Sequence, residues 1–120
     1  MAQLDQLMST VGRNNAEAVA ALLVDGAGRV QKSETTAPEV ARAAIALATP
    51  LRELLDRTAA ELGCGALRVA LVEGTDASLA FADVDGDITA VLVGAAGAAP
   101  GALRADALWL ADQVRAGGAS

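Results

Sequence analysis

The 120-residue chain is 53% hydrophobic and 20% charged, which excludes disorder and predicts one domain, residues 1–120, with a real core. A net charge of -6, with only Phe81 and Trp109 as aromatic residues, argues against a nucleic-acid partner and favours a protein one. The absence of histidine removes histidine-based catalysis, and the lone Cys64 forms no intrachain disulfide, which suits a reducing cytoplasm.

Residues 2–12 place Leu4, Leu7, Met8 and Val11 at i, i+3, i+4 and i+7, the pattern of a short amphipathic helix covering one sheet face. This start carries no basic region or long apolar run, so neither a signal peptide nor membrane insertion is expected. Ala18 to Val24 is a continuous apolar run of strand length, and its two alternating sets are both apolar, which predicts cover on both faces. Asp25, Gly26 and Gly28 make a tight reversal, with the glycines supplying positive φ. The returning arm, Val30 to Ser33, is more polar and belongs near an edge.

A long helix is predicted from Pro38 to Leu62, with Thr36 as its cap and Gly63 as its stop. Pro50 removes a hydrogen bond within it, so either one kinked helix or two helices end to end are expected. The apolar arc is wider than the stripe of about 100° that one sheet needs. Leu47, Leu51 and Leu54 are expected to face the sheet. Ala41, Ala44, Ala48 and Ala59, with Leu55 beside them, form a small-residue flank. That flank either receives a second helix or is filler, because alanine is the best helix former. Arg42, Glu53, Asp56 and Arg57 remain outside the arc, as a partner-binding rim or simply a solvated face.

Strands are expected over residues 66–73, 77–82 and 88–93, and a closing helix over 102–116, with Leu103, Ala107, Leu110 and Val114 buried and Trp109 at the edge of that stripe. Residues 94–101 form the loop between them. Asp83, Asp85 and Asp87 around Gly86 lack the glycine position and late glutamate of a calcium loop and read as a hairpin turn. The glycines at 94, 97 and 101 lack the lysine of a phosphate-binding loop. Cys64 has no base to activate it and reads as a small, partly buried side chain; Glu73 and Asp76 read as solvated. No cofactor, no metal and no catalytic residue are expected.

The segment EAVAALLVDGAGRV (Glu17–Val30) resembles the opening hairpin of the roadblock/LC7 family, and the order of elements is similar over nearly the whole chain. The resemblance implies an α-β-β-α-β-β-β-α fold of α/β class with a five-stranded antiparallel sheet ordered 2-1-5-4-3. The long helix would lie on one face and the terminal helices on the other. It further implies a homodimer formed through the long helix and a sheet edge, for which the small-residue flank of Ala41, Ala44, Ala48, Leu55 and Ala59 is the expected interface. The implied function is a non-enzymatic regulator or scaffold of a small Ras-like GTPase, of the GTPase-activating-partner type, for which the charged rim of Arg42, Glu53, Asp56 and Arg57 is the expected docking face. A purely structural dimerisation module and a small-molecule sensor on a profilin-like or PAS-like sheet are the alternatives.

Overall fold

The computed structural model describes residue 6, residues 18–95 and residues 100–117; the helix expected over 2–12, apart from Gln6, and most of the loop at 94–101 lie outside these residues. The elements are β1 (Ala18–Val24), β2 (Val30–Thr35), α1 (Pro38–Glu61), β3 (Val69–Glu73), β4 (Ala77–Asp83), β5 (Thr89–Ala95) and α2 (Pro100–Ala116). The five strands form one sheet ordered β2-β1-β5-β4-β3, with every neighbouring pair antiparallel. The polar β2 and the short β3 are its edges. In the middle, β5 is buried from Thr89 to Gly94, as a strand covered on both faces must be.

The two sides of the sheet carry separate cores. Leu23, Leu92, Ala80 and Ala82 pack with Leu103, Ala107, Leu110 and Val114 of α2, and Trp109 is half-buried at the rim of that cluster. On the opposite face Leu22, Val24, Phe81, Val91 and Val93 pack with α1. Alternation along β1 therefore divides its apolar run between the two cores.

α1 begins beside Val19 at one end of β1 and by Thr49 and Arg52 reaches the other strand ends, at Asp25, Asp83 and Thr89, so it runs along the strands over β2, β1 and β5. Its 24 residues span about 36 Å at 1.5 Å per residue, against roughly 23 Å for a seven-residue strand. The helix therefore overhangs, and Leu62 is exposed beyond the sheet. Gly63 at φ 75° closes it: Gly63 N–H donates to the Ala60 carbonyl at 3.1 Å and Cys64 N–H to that of Ala59 at 2.8 Å, the paired bonds of a Schellman cap. Cys64, expected to be partly buried, is exposed because it follows this overhanging end.

Of the two forms expected at Pro50, α1 takes the single helix, running unbroken through it. Two further expectations about α1 are corrected. Its N-cap is Ala37, without a side-chain cap bond, rather than Thr36. Thr36 is engaged elsewhere, its N–H donating to the Val19 carbonyl at 3.0 Å, while the Thr35 hydroxyl accepts from Ala37 N–H at 2.8 Å. The roll of the helix also differs. Ala41 and Ala48 are buried against the sheet, whereas Leu47 and Leu54, expected to face it, are 61% and 50% exposed.

Candidate functional site

At 100° per residue, α1 has three sectors. The seam on the sheet consists of Ala41, Ala44, Ile45, Ala48, Leu51 and Leu55. Ala41 and Ala48 are fully committed to it, and Ala44, Leu55 and Ala59 are half-buried, so the alanine flank assigned to a second helix is instead the sheet-facing side. Ala41 and Ala48 are thereby taken by the sheet rather than left for a partner.

One outer flank carries Val40, Leu47 and Leu54, all exposed, at seven-residue spacing. That is the repeat of a helix–helix seam. On the same side of the sheet, α1 packs over β2, β1 and β5 and leaves β3 largely uncovered. Val72, paired with Leu79 in the register, shares that face and is 45% exposed.

The other flank is charged. Arg42, Glu53, Asp56 and Arg57 are all exposed on it, so the helix brings the four expected rim residues to one side. Asp56 is already engaged: both its carboxylate oxygens accept from Arg52 Nε, at 3.0 and 3.1 Å. Arg52, which the sequence reading did not single out, is the centre of this region. Its side chain is only 12% exposed, and its remaining nitrogens donate to Thr89 Oγ1 at 2.8 Å and to Asp83 Oδ1 at 2.7 Å. Burial works against the charge, but the hydrogen bonds to Asp83 and Asp56 hold the guanidinium pKa above its ordinary value.

The strand ends around Arg52 are built from aspartates that satisfy backbone donors. Asp83 Oδ1 also accepts from Gly86 N–H at 2.8 Å, and Asp85 Oδ1 accepts from Asp87 and Ile88 N–H at 3.1 and 3.0 Å. The bond from Ile88 N–H, followed by that from Asp87, draws the Asp85 pKa below its ordinary value. Residues 83–88 are thus a hairpin turn, with Gly86 at φ 95°. Across from it, Asp25 accepts from the N–H groups of Arg29 and Ala27, at 2.9 and 3.0 Å, and from the Arg29 side chain. The Arg29 backbone bond leads in lowering the Asp25 pKa. The cleft beside Arg52, about 110 Å³, is lined by groups already bonded to one another. Glu73 and Asp76 are exposed at the β3–β4 turn, as expected.

This architecture has solved counterparts. The roadblock/LC7 domain from Streptomyces avermitilis superposes with a TM-score of 0.82 at 22% identity, covering 97% of this chain and 98% of that one. The gliding protein MglB from Thermus thermophilus gives a TM-score of 0.84 at 17% identity over 95% of this chain and 87% of its own. MglB from Myxococcus xanthus gives 0.85 at 16% identity over 98% and 89%. The chain has the roadblock/LC7 fold. No protein-family model matches it, and no curated protein matches it in sequence.

On this roadblock/LC7 frame, the long helix buries Ala41 and Ala48 on the sheet and leaves Leu47 and Leu54 in solvent. The signal that could have located Arg52 was weak. An arginine four residues before an aspartate looks like an ordinary surface pair on a helix, and its two strand partners lie 31 and 37 residues away.

Proposed function

We propose that this chain is a dimeric, non-enzymatic regulator or scaffold of a small Ras-like GTPase. The single observation that carries this reading is the exposed apolar flank of Val40, Leu47 and Leu54, unpartnered among the described residues, beside the edge strand β3. A second copy would cover Val40, Leu47 and Leu54 together with Val72. This replaces an interface made of Ala41, Ala44, Ala48, Leu55 and Ala59, of which Ala41 and Ala48 are buried, and Ala44 and Leu55 partly buried, against the sheet. The roadblock/LC7 resemblance supplies the partner class, since bacterial members of that family regulate Ras-like GTPases.

The charged flank supplies the docking rim. Arg42, Glu53 and Arg57 are exposed and able to contact a GTPase surface, with Asp56 tethered by Arg52 beside them. Such a rim sets register and association rate, and the regulator acts by holding the switch regions of its partner. No helix among the described residues is long and apolar enough to cross a membrane. A cytoplasmic setting is part of the proposal and agrees with the single cysteine.

The test is a titration with a Ras-like GTPase of the same organism loaded with a non-hydrolysable GTP analogue. Wild type binds, and the Arg42→Glu/Arg57→Glu double variant loses binding while its melting temperature stays unchanged. Equal binding by the folded double variant means that the GTPase docks elsewhere. No binding to any such GTPase leaves the structural dimerisation module as the correct reading.

A further inference from the structure

The roll of α1 runs against its own hydrophobicity. The apolar arc is best buried with Leu47, Leu51 and Leu54 turned toward the sheet, yet Leu47 and Leu54 both lie in solvent. The fully buried part of the seam is Ala41 and Ala48, whose methyl groups interlock little, and Ile45, Leu51 and Leu55 are only partly buried beside them. The N-terminal end is tied to the sheet by backbone N–H bonds, Thr36 N–H to the Val19 carbonyl and Ala37 N–H to the Thr35 hydroxyl, and Pro50 interrupts the ladder midway.

Arg52 makes the shortest directional contacts from the middle of α1 to the sheet, beside a longer bond from the Thr49 hydroxyl to the Asp25 carbonyl at 3.4 Å. Its planar guanidinium donates to Asp56 on its own helix, Asp83 at the end of β4 and Thr89 at the start of β5. Among the described residues it is the sole arginine that is not exposed. Its strand-side acceptors are themselves fixed. Thr89 is buried, and Asp83 is held by Gly86 N–H through its carboxylate and by Arg115 of α2 through its backbone carbonyl at 2.8 Å. A planar fork tolerates little rotation, so rolling the helix breaks at least one of these bonds. Position 47 lies five residues before Arg52, about 140° around the helix. A roll that swings Arg52 outward therefore carries Leu47 and Leu54 inward.

We propose that Arg52 is a positioning residue that sets the roll of α1 and holds Leu47 and Leu54 outward, where a second copy of the chain can take them. Without the clamp the helix rolls its leucines onto its own sheet and the docking flank is lost. The consequence for association rests on the dimer reading above; the roll itself does not.

The experiment measures thiol-labelling rates at position 47, relative to position 53, in full-length chains with Cys64→Ser and either Leu47→Cys or Glu53→Cys. Rates are taken at a dilution where light scattering gives one chain mass. Arg52→Met is expected to lower the 47-to-53 ratio about tenfold, a shift of about 1.4 kcal/mol in the opening equilibrium. Arg52→Lys, which keeps a donor but not the fork, is expected to restore part of it. Thr89→Val removes one acceptor and is expected to move the ratio in the same direction if Arg52→Met does not fold. An unchanged ratio in the folded variants, with only the melting temperature lowered, overturns the proposal and leaves Arg52 a stabilising contact. Leu47→Glu separates the two readings. If it stays dimeric while Arg52→Met still lowers the ratio, the roll stands and the dimer face is wrong.

Discussion

At the residue scale, the aspartates of the two hairpin ends serve the backbone rather than a ligand. Asp25 and Asp85 each accept two backbone N–H bonds, and both have pKa values below the ordinary range. A depressed folded-state pKa contributes stability that is present above the unfolded value, about 3.9, and is lost as pH falls through the folded value. The melting temperature should therefore be flat from pH 7 to about 5 and fall below about 4. Asp85→Asn keeps an acceptor oxygen but does not titrate, so it should flatten the acid slope in a melting series against pH. An identical slope would show that the Asp85 bonds add nothing. Asp83 carries more of the packing. Asp83→Ala leaves the largely buried Arg52 short of a charged partner and should cost about 2 kcal/mol in urea denaturation.

At the element scale, α1 is a helix that tolerates a proline. Pro50 is exposed and has no N–H to give to the Ala46 carbonyl, yet the helix is continuous across it. Pro50→Ala should therefore stabilise the chain by about 1–3 kcal/mol, raising the melting temperature by several degrees. A melting temperature that stays the same or falls would mean that the proline's rigidity in the unfolded chain outweighs the missing bond. Much of the fold was legible because the local signals agreed. The apolar run of β1, the polar β2, the glycine stop at Gly63 and the aspartate turn at residues 83–88 each have one physical solution. The roll of α1 was not legible. Periodicity scores leucine above alanine, so it points Leu47 and Leu54 at the sheet, whereas the observed roll is accompanied by a clamp from Arg52 to two strands distant in sequence. For the same reason Ala41 and Ala48, expected at a helix–helix interface, are buried against the sheet. Capping by Thr36 failed because Thr36 is already tied to β1.

At the scale of the whole molecule, the described residues leave the Val40, Leu47 and Leu54 flank of α1 and the edge strand β3 unpartnered on the same side. A Leu47→Glu variant removes an exposed apolar side chain, so the monomer should change by about 0.5 kcal/mol or less while self-association is lost. Burial of Val40, Leu47, Leu54 and Val72 against a second copy is the central claim, since the charged docking rim and the role of Arg52 both gain their meaning from it. Molar mass by light scattering after gel filtration, at a chain concentration of about 100 μM, well above the Kd of a stable interface, tests it most directly. The predicted result is twice the 11.9 kDa of a single chain. A mass of one chain at that concentration would contradict it.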